Sequence, residues 1–156
     1  MKKMVITMNN NFKNRVKEII ESICYFEQFL YDNESIRKDY EFEEMLDFID
    51  NTISEKDKKI LEIDYKYDDL KMKNFTMIKY EGNIIGFLYK DKKLIDMIYI
   101  DPKYRNKGIC TDLLRRFSKS GDIAKTKTYN KKMCNLLKKN DWKIIDKNSE
   151  TITWKK

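Results

Sequence analysis

The stretch Asp101–Phe117, "DPKYRNKGICTDLLRRF", decides how this chain folds. It follows the apolar run "LIDMIYI" (94–100), and it holds the chain's one proline, Pro102, together with Gly108, one of four glycines. A β-rich run that ends at Ile100 meets a residue that cannot extend a sheet ladder. Gly108 then allows a tight backbone turn, and Ile109, Leu113, Leu114 and Phe117 recur at helical spacing behind it. The reading is strand, turn, helix. The amides from Lys107 to Thr111 open that helix without intrahelical acceptors, and Arg105 and Lys107 flank them. Free amides at a helix start beside cations suit an anion, phosphate above all. The same geometry also describes an ordinary basic loop capping a helix.

Outward from this segment, the second half reads as β-rich runs and helices. "FTMIKY" and "IIGFLYK" flank a Gly-Asn turn as a hairpin. "KLIDMIYI" is apolar on nearly both faces, as an interior strand is. "DIAKTKT" is a short strand, "NKKMCNLLKKN" is a helix with Asn130 as its N-cap, and "WKIID" and "TITWKK" close as a β pair. In the first half, "MVITM" reads as a short strand and Phe12–Tyr31 as a helix. A second helix spans about Tyr40–Ile53, with Phe42, Met45, Leu46 and Ile49 on one face. Residues 55–73 fit either period, with helix preferred for their first part. The order β, α, α, β, β, β, α, β, α, β, β is an α+β domain: a mixed, mostly antiparallel sheet with helices packed on it, in one domain over residues 1–156.

Composition excludes several chemistries. With 156 residues, 38% charged and 41% hydrophobic, the chain can bury a core, and no apolar run reaches membrane-spanning length. The N-terminus carries no signal-peptide pattern, so a cytoplasmic protein is expected. Cys24, Cys110 and Cys134 form no CxxC pair, so thiols are expected rather than a disulfide frame or a metal site. Histidine is absent, which removes Ser-His and Cys-His couples and leaves Asp, Glu, Tyr, Cys, Lys or water for proton transfer. The net charge of +7 divides unevenly, +9 over residues 94–156 and −2 over residues 1–93. Residues 39–55 hold seven acids and no base. Two surfaces of opposite preference are implied, one for anions and one for cations.

The stretch "IYIDPKYRNKGICTDLL" resembles the acetyl-CoA-binding motif of the GCN5-related N-acetyltransferase (GNAT) family, Gln/Arg-x-x-Gly-x-Gly/Ala after a strand ending in Val/Ile-x-Pro-x-Tyr. Arg105, Gly108 and Cys110 occupy the signature places. "EGNIIGF" (81–87) resembles the hairpin before that motif, and "NKKMCNLLKKNDW" (130–142) resembles the family's last helix. The resemblance covers about residues 75–145. It implies a sheet with splayed central strands and acetyl-CoA as the cofactor. The amides of Arg105, Asn106, Lys107, Gly108, Ile109, Cys110 and Thr111 would hold its pyrophosphate. The backbone of Ile98, Tyr99 and Ile100 would pair with the pantetheine arm, and Asn130 would contact the cofactor.

Three positions depart from the family pattern. Cys110 replaces Gly or Ala, and reads as a small buried hydrophobe. Leu137 stands where the family often has a Tyr that protonates the departing thiolate. Asp141 stands where a Gly usually precedes the aromatic residue, so the turn into Trp142 is expected to be remodelled.

Asp96 is the sole acid in "KLIDMIYI", and a charge inside an apolar run is costly unless it is paired or used. It matches a Glu found in small-molecule members of the family and is the candidate general base. Tyr129, with Cys134, is a nearby candidate acid. The expected partners are acetyl-CoA and an amine acceptor, cationic in view of the acidic 39–55 segment. Nucleic acid is disfavoured, no membrane is expected, and a homodimer is allowed. The alternatives are a non-catalytic GNAT-like module that binds CoA or a partner, which Leu137 favours, and an aminoacyl-tRNA-acetylating toxin.

Overall fold

The computed structural model describes residues 34–156, with side chains from Asp39 onward. The expected strand "MVITM", the helix Phe12–Tyr31 and Cys24 lie outside the described residues. The first described element is helix α1, Glu34–Thr52, which begins six residues before the expected 40. Met45, Phe48 and Ile49 recur at helical spacing and are buried. Ser54 caps the next helix, α2 (Glu55–Leu61), its Oγ accepting from the Asp57 amide at 3.2 Å. Glu62 ends α2 in the left-handed conformation, φ 55°, and starts the single turn α3 (Ile63–Lys66). The ambiguous segment is therefore helical in its first part, as preferred.

Six strands follow: β1 (Phe75–Tyr80), β2 (Asn83–Asp91), β3 (Leu94–Ile100), β4 (Ile123–Lys127), β5 (Lys143–Lys147) and β6 (Thr151–Lys155). Helix α4 (Ile109–Phe117) joins β3 to β4, and α5 (Lys131–Lys139) joins β4 to β5. The sheet order is β1-β2-β3-β4-β6-β5. Every neighbour pair is antiparallel except β3–β4. This is the expected mixed, mostly antiparallel α+β sheet.

The hairpin turn falls one residue earlier than the Gly-Asn reading. Glu81 (φ 49°) and Gly82 (φ 76°) are its two central residues, and Asn83 already pairs with Tyr80. A two-residue turn that follows the strand twist needs positive φ at both centres, so the register sets the turn on Glu81–Gly82.

Alternate residues of the strands feed two cores, one on each face of the sheet. Met77, Phe87, Met97 and Tyr99 pack with Met45, Phe48 and Ile49 of α1. Ile78, Leu88 and Ile100 pack with Leu113 and Leu114 of α4, Leu137 of α5, and Trp154. Helices thus cover both faces, which leaves the gap between β3 and β4 as the sheet's interior opening.

Candidate active site

β3 and β4 pair at only two positions, Leu94 with Ile123 and Ile95 with Ala124. Beyond them the strands part. Two features of β3 shape the opening. The first is a β-bulge: Tyr89 opposes Met97 and Lys90 opposes Ile95, which leaves Asp96 as the extra residue. A bulge re-aims a side chain and shifts the pleat by one residue. The acid that seemed to interrupt an apolar strand is therefore the residue that breaks its phase.

The second feature is backbone direction. The Lys93 carbonyl accepts from Ile123 at 2.7 Å, on the β4 side. Past the bulge, Asp101 donates to Ile85 at 2.8 Å, on the β2 side. By alternation Tyr99 also turns its backbone to β2, while Ile98 and Ile100 turn theirs into the gap. The Ile100 carbonyl is taken by Arg105 Nε at 2.7 Å. Of the three strand residues read as pantetheine partners, Ile98 and Ile100 face the opening. Tyr99 does not: its backbone pairs with Phe87 and its ring lies between Phe48 and Phe87. Burial raises the Tyr99 hydroxyl pKa, and that hydroxyl has no partner among the described residues.

The gap opens into a cleft of about 560 Å³. Asp96 and Ile98 of β3, Lys125 and Lys127 of β4, Asn130, and Leu137 are among its walls, and Glu62 and Lys66 stand over it. The charges are largely paired. Lys66 Nζ lies 3.1 Å from Asp96 Oδ1. Lys127 reaches across to Glu62. That hydrogen bond lowers the Glu62 pKa and raises that of Lys127, each favouring its charged form. Asn130 caps α5 as expected, its Oδ1 accepting from the Met133 amide at 3.2 Å. Tyr129 is 61% exposed and is not among the cleft's lining residues, so the structure does not bring it to Asp96. Cys134 is buried, with Sγ 3.5 Å from Thr126 Oγ1, on the core side of α5.

At the far end of β3, the turn has the expected form. Pro102 starts a single 3₁₀ turn, Pro102–Tyr104, and Asn106 (φ 62°) and Gly108 (φ 79°) are both left-handed. Gly108 directly precedes α4. Among the described residues, the amides of Lys107, Gly108, Ile109, Cys110 and Thr111 donate to no protein acceptor. Left-handed residues set among right-handed ones curl such amides into an anion-binding concavity.

Arg105 is not a free cation over this turn. Its Nη2 lies 2.9 Å from Asp57 Oδ2 in α2, and its guanidinium stacks over the Tyr99 ring, 5.4 Å from the centroid. It therefore pins the turn to Ile100 and to α2, while Lys107 lies over Tyr104. Burial pushes the Cys110 thiol up to about 11, and the side chain packs on the α4–α5 core. The small-hydrophobe reading of Cys110 agrees with this placement.

The turn into Trp142 keeps a left-handed residue rather than being remodelled. Asp141 itself adopts φ 65°, donating to Lys138 at 3.2 Å, and Trp142 donates to Leu137 at 3.1 Å. Aspartate tolerates this conformation at a cost of about 1 kcal/mol relative to glycine. Leu137 is buried in the cleft wall, so no phenol stands at that position.

No helix among the described residues is long and apolar enough to cross a membrane. No group of three or more His, Cys, Asp and Glu side chains suited to a metal ion occurs among them.

A model of the acetyltransferase (GNAT) family matches residues 30–141. No curated protein matches the chain. Among solved structures, the chain is similar to the apo form of RimL, a ribosomal L7/L12 alpha-N-protein acetyltransferase. The two are 9% identical with a TM-score of 0.39, over 87% of this chain and 84% of that one.

Proposed function

Because the chain belongs to the GNAT acetyltransferase family, we propose that it is an acetyl-CoA-dependent N-acetyltransferase with a cationic amine as acceptor. One observation carries the proposal. Strand β3 carries the Asp96 carboxylate in the cleft where it parts from β4, and runs on into the turn whose amides, Lys107 to Thr111, donate to no protein acceptor among the described residues.

The residues fit the cofactor. The amides of Lys107 to Thr111 would take the pyrophosphate, and the outward backbone of Ile98 and Ile100 would take the pantetheine amides. The bound cofactor supplies an acetyl thioester. Asp96 receives the acceptor's ammonium and passes its proton on to water. Its pairing with Lys66 supports this role, because it demonstrates a seat that fits a primary alkylammonium. Leu137 and the exposed Tyr129 leave solvent to protonate the departing thiolate. Isothermal titration of acetyl-CoA, followed by thiol release on adding a polyamine or a lysine-rich peptide, tests the proposal directly.

Asp96→Asn should leave CoA affinity nearly unchanged and lower turnover about a hundredfold. The loss should shrink as pH rises, because more of the amine arrives deprotonated. Wild-type turnover in Asp96→Asn between about pH 6 and 9 would remove Asp96 from the chemistry. The buried Leu137 favours a second reading, a GNAT domain that binds CoA without transferring acetyl. Tight acetyl-CoA binding with no thiol release on any amine would establish that reading instead.

A further inference from the structure

We propose that Lys66 is a modification site, an internal acceptor that the protein acetylates on its own Nζ. The inference rests on the N-acetyltransferase reading above. Lys66 ends α3 and projects into the cleft between the parted strands. Its Nζ donates to the Leu61 carbonyl at 3.1 Å and to Asp96 Oδ1 at 3.1 Å. The side chain is 25% exposed, so the amine is held but not sealed off. It thus occupies the place where an acceptor amine would meet the carboxylate.

Two of the three ammonium hydrogens are fixed by these bonds. Loss of the third leaves a lone pair on an amine that lines the cleft. Lys125 and Lys127 line the same cleft, but Lys127 is tied to Glu62, and of these three lysines only Lys66 is held against Asp96.

The step balances without a further reactant. One proton leaves the Nζ ammonium through Asp96 or water before attack, and a second leaves the nitrogen as the tetrahedral adduct collapses. The Nζ lone pair forms a bond to the acetyl carbon of the thioester, and the carbon–sulfur bond breaks. CoA departs as the thiolate and takes a proton from solvent. The product is a neutral amide that no longer pairs with Asp96 as an ion.

The full chain, incubated with acetyl-CoA and no added amine, is to be digested and every lysine-bearing peptide followed by mass spectrometry. Lys66 should be acetylated at least tenfold faster than the other lysines, at a rate independent of protein concentration. Excess CoA should suppress this labelling, as should Gly108→Val if that variant folds. Asp96→Asn should slow it. Lys66→Arg should abolish it without moving it to Lys127.

Acetylation of an added amine while Lys66 stays unmodified would overturn this inference alone. Failure to bind or consume acetyl-CoA would overturn the enzymatic reading as well. Lys66 labelling no faster than that of exposed lysines, or insensitive to excess CoA, would show chemical acetylation only and overturn the inference too. So would a rate that rises with protein concentration, which marks transfer between copies.

Discussion

Replacing Gly86 by alanine should damage the proposed site from behind. Gly86 lies in β2, opposite Ile100 of β3 and Ile78 of β1. A Cβ there would sit 2.4 Å from the Tyr99 carbonyl oxygen, 2.8 Å from Ile100 Cδ1 and 3.2 Å from Ile100 Cα. The Ile100 methyl can swing away, but the Tyr99 carbonyl belongs to the β2–β3 ladder. A carbon–oxygen contact of about 3.3 Å or more is the ordinary limit, so β3 must retreat by roughly 1 Å at this point. Overpacking against backbone costs about 1–3 kcal/mol, and the rigidity of the ladder points to the upper half of that range. With a urea m-value of about 1–3 kcal/mol per molar, the unfolding midpoint should fall by about 1 M. Ile100, which turns its backbone into the gap, is displaced along with Tyr99, so acetyl-CoA affinity should fall in the same variant. Gly82→Ala is the matched control. Its Cβ meets nothing within 4 Å, and it costs only the strain of φ 76°, about 1 kcal/mol, with no change in affinity. A Gly86→Ala protein with an unchanged urea midpoint, or with unaltered β2–β3 spacing in a crystal structure, would refute this reasoning.

Gly108→Val should abolish acetyl-CoA binding in calorimetry while costing about 2 kcal/mol of stability. A Cβ at Gly108 meets no protein atom within 4 Å, so only the backbone strain of φ 79° opposes folding. Cys110, with its thiol pushed up to about 11, should alkylate slowly at neutral pH and faster as pH rises. The native state holds that proton more tightly than the unfolded chain does. Its contribution to stability is complete below the ordinary thiol value of 9.0 and fades as pH climbs through about 11. Denaturant midpoints of wild type and Cys110→Ala should therefore converge at alkaline pH, and parallel curves would contradict the burial of the thiol.

Much of the fold was legible because its punctuation is scarce. Pro102 and Gly108 end a strand and open a helix where the structure has them, and Asn130 caps α5. The parting of β3 and β4 was legible only through family resemblance, since two short strands carry no record of how far they pair. The bulge at Asp96 was not legible either. In sequence, a bulged acid and an acid at a polar rim both read as one charge in an apolar run. Which of them occurs depends on the register against β2, a non-local property. Lys66 went unnoticed for the same reason: thirty residues of chain separate it from Asp96.

Charge patterning was the least transferable signal, because tertiary pairing spends charges that a sequence shows as free. The acids of residues 39–55 suggested a cation-binding surface. In the structure Glu44 is held by Lys79 at 2.6 Å, Asp50 accepts from Tyr67 Oη at 3.0 Å, and Glu41 is buried. While Asp39, Glu43, Asp47 and Glu55 stay exposed, Glu44 and Asp50 therefore anchor α1 to the sheet and to the turn after α3. The same holds for Arg105, whose charge goes to Asp57. The proposed anion site must then rest on amide dipoles and on Lys107, so its affinity should depend less on ionic strength than the +9 of the C-terminal half implies. The proposed cationic preference of the acceptor site then rests on the carboxylate of Asp96 in the cleft. There an incoming ammonium has to displace one that the protein already supplies.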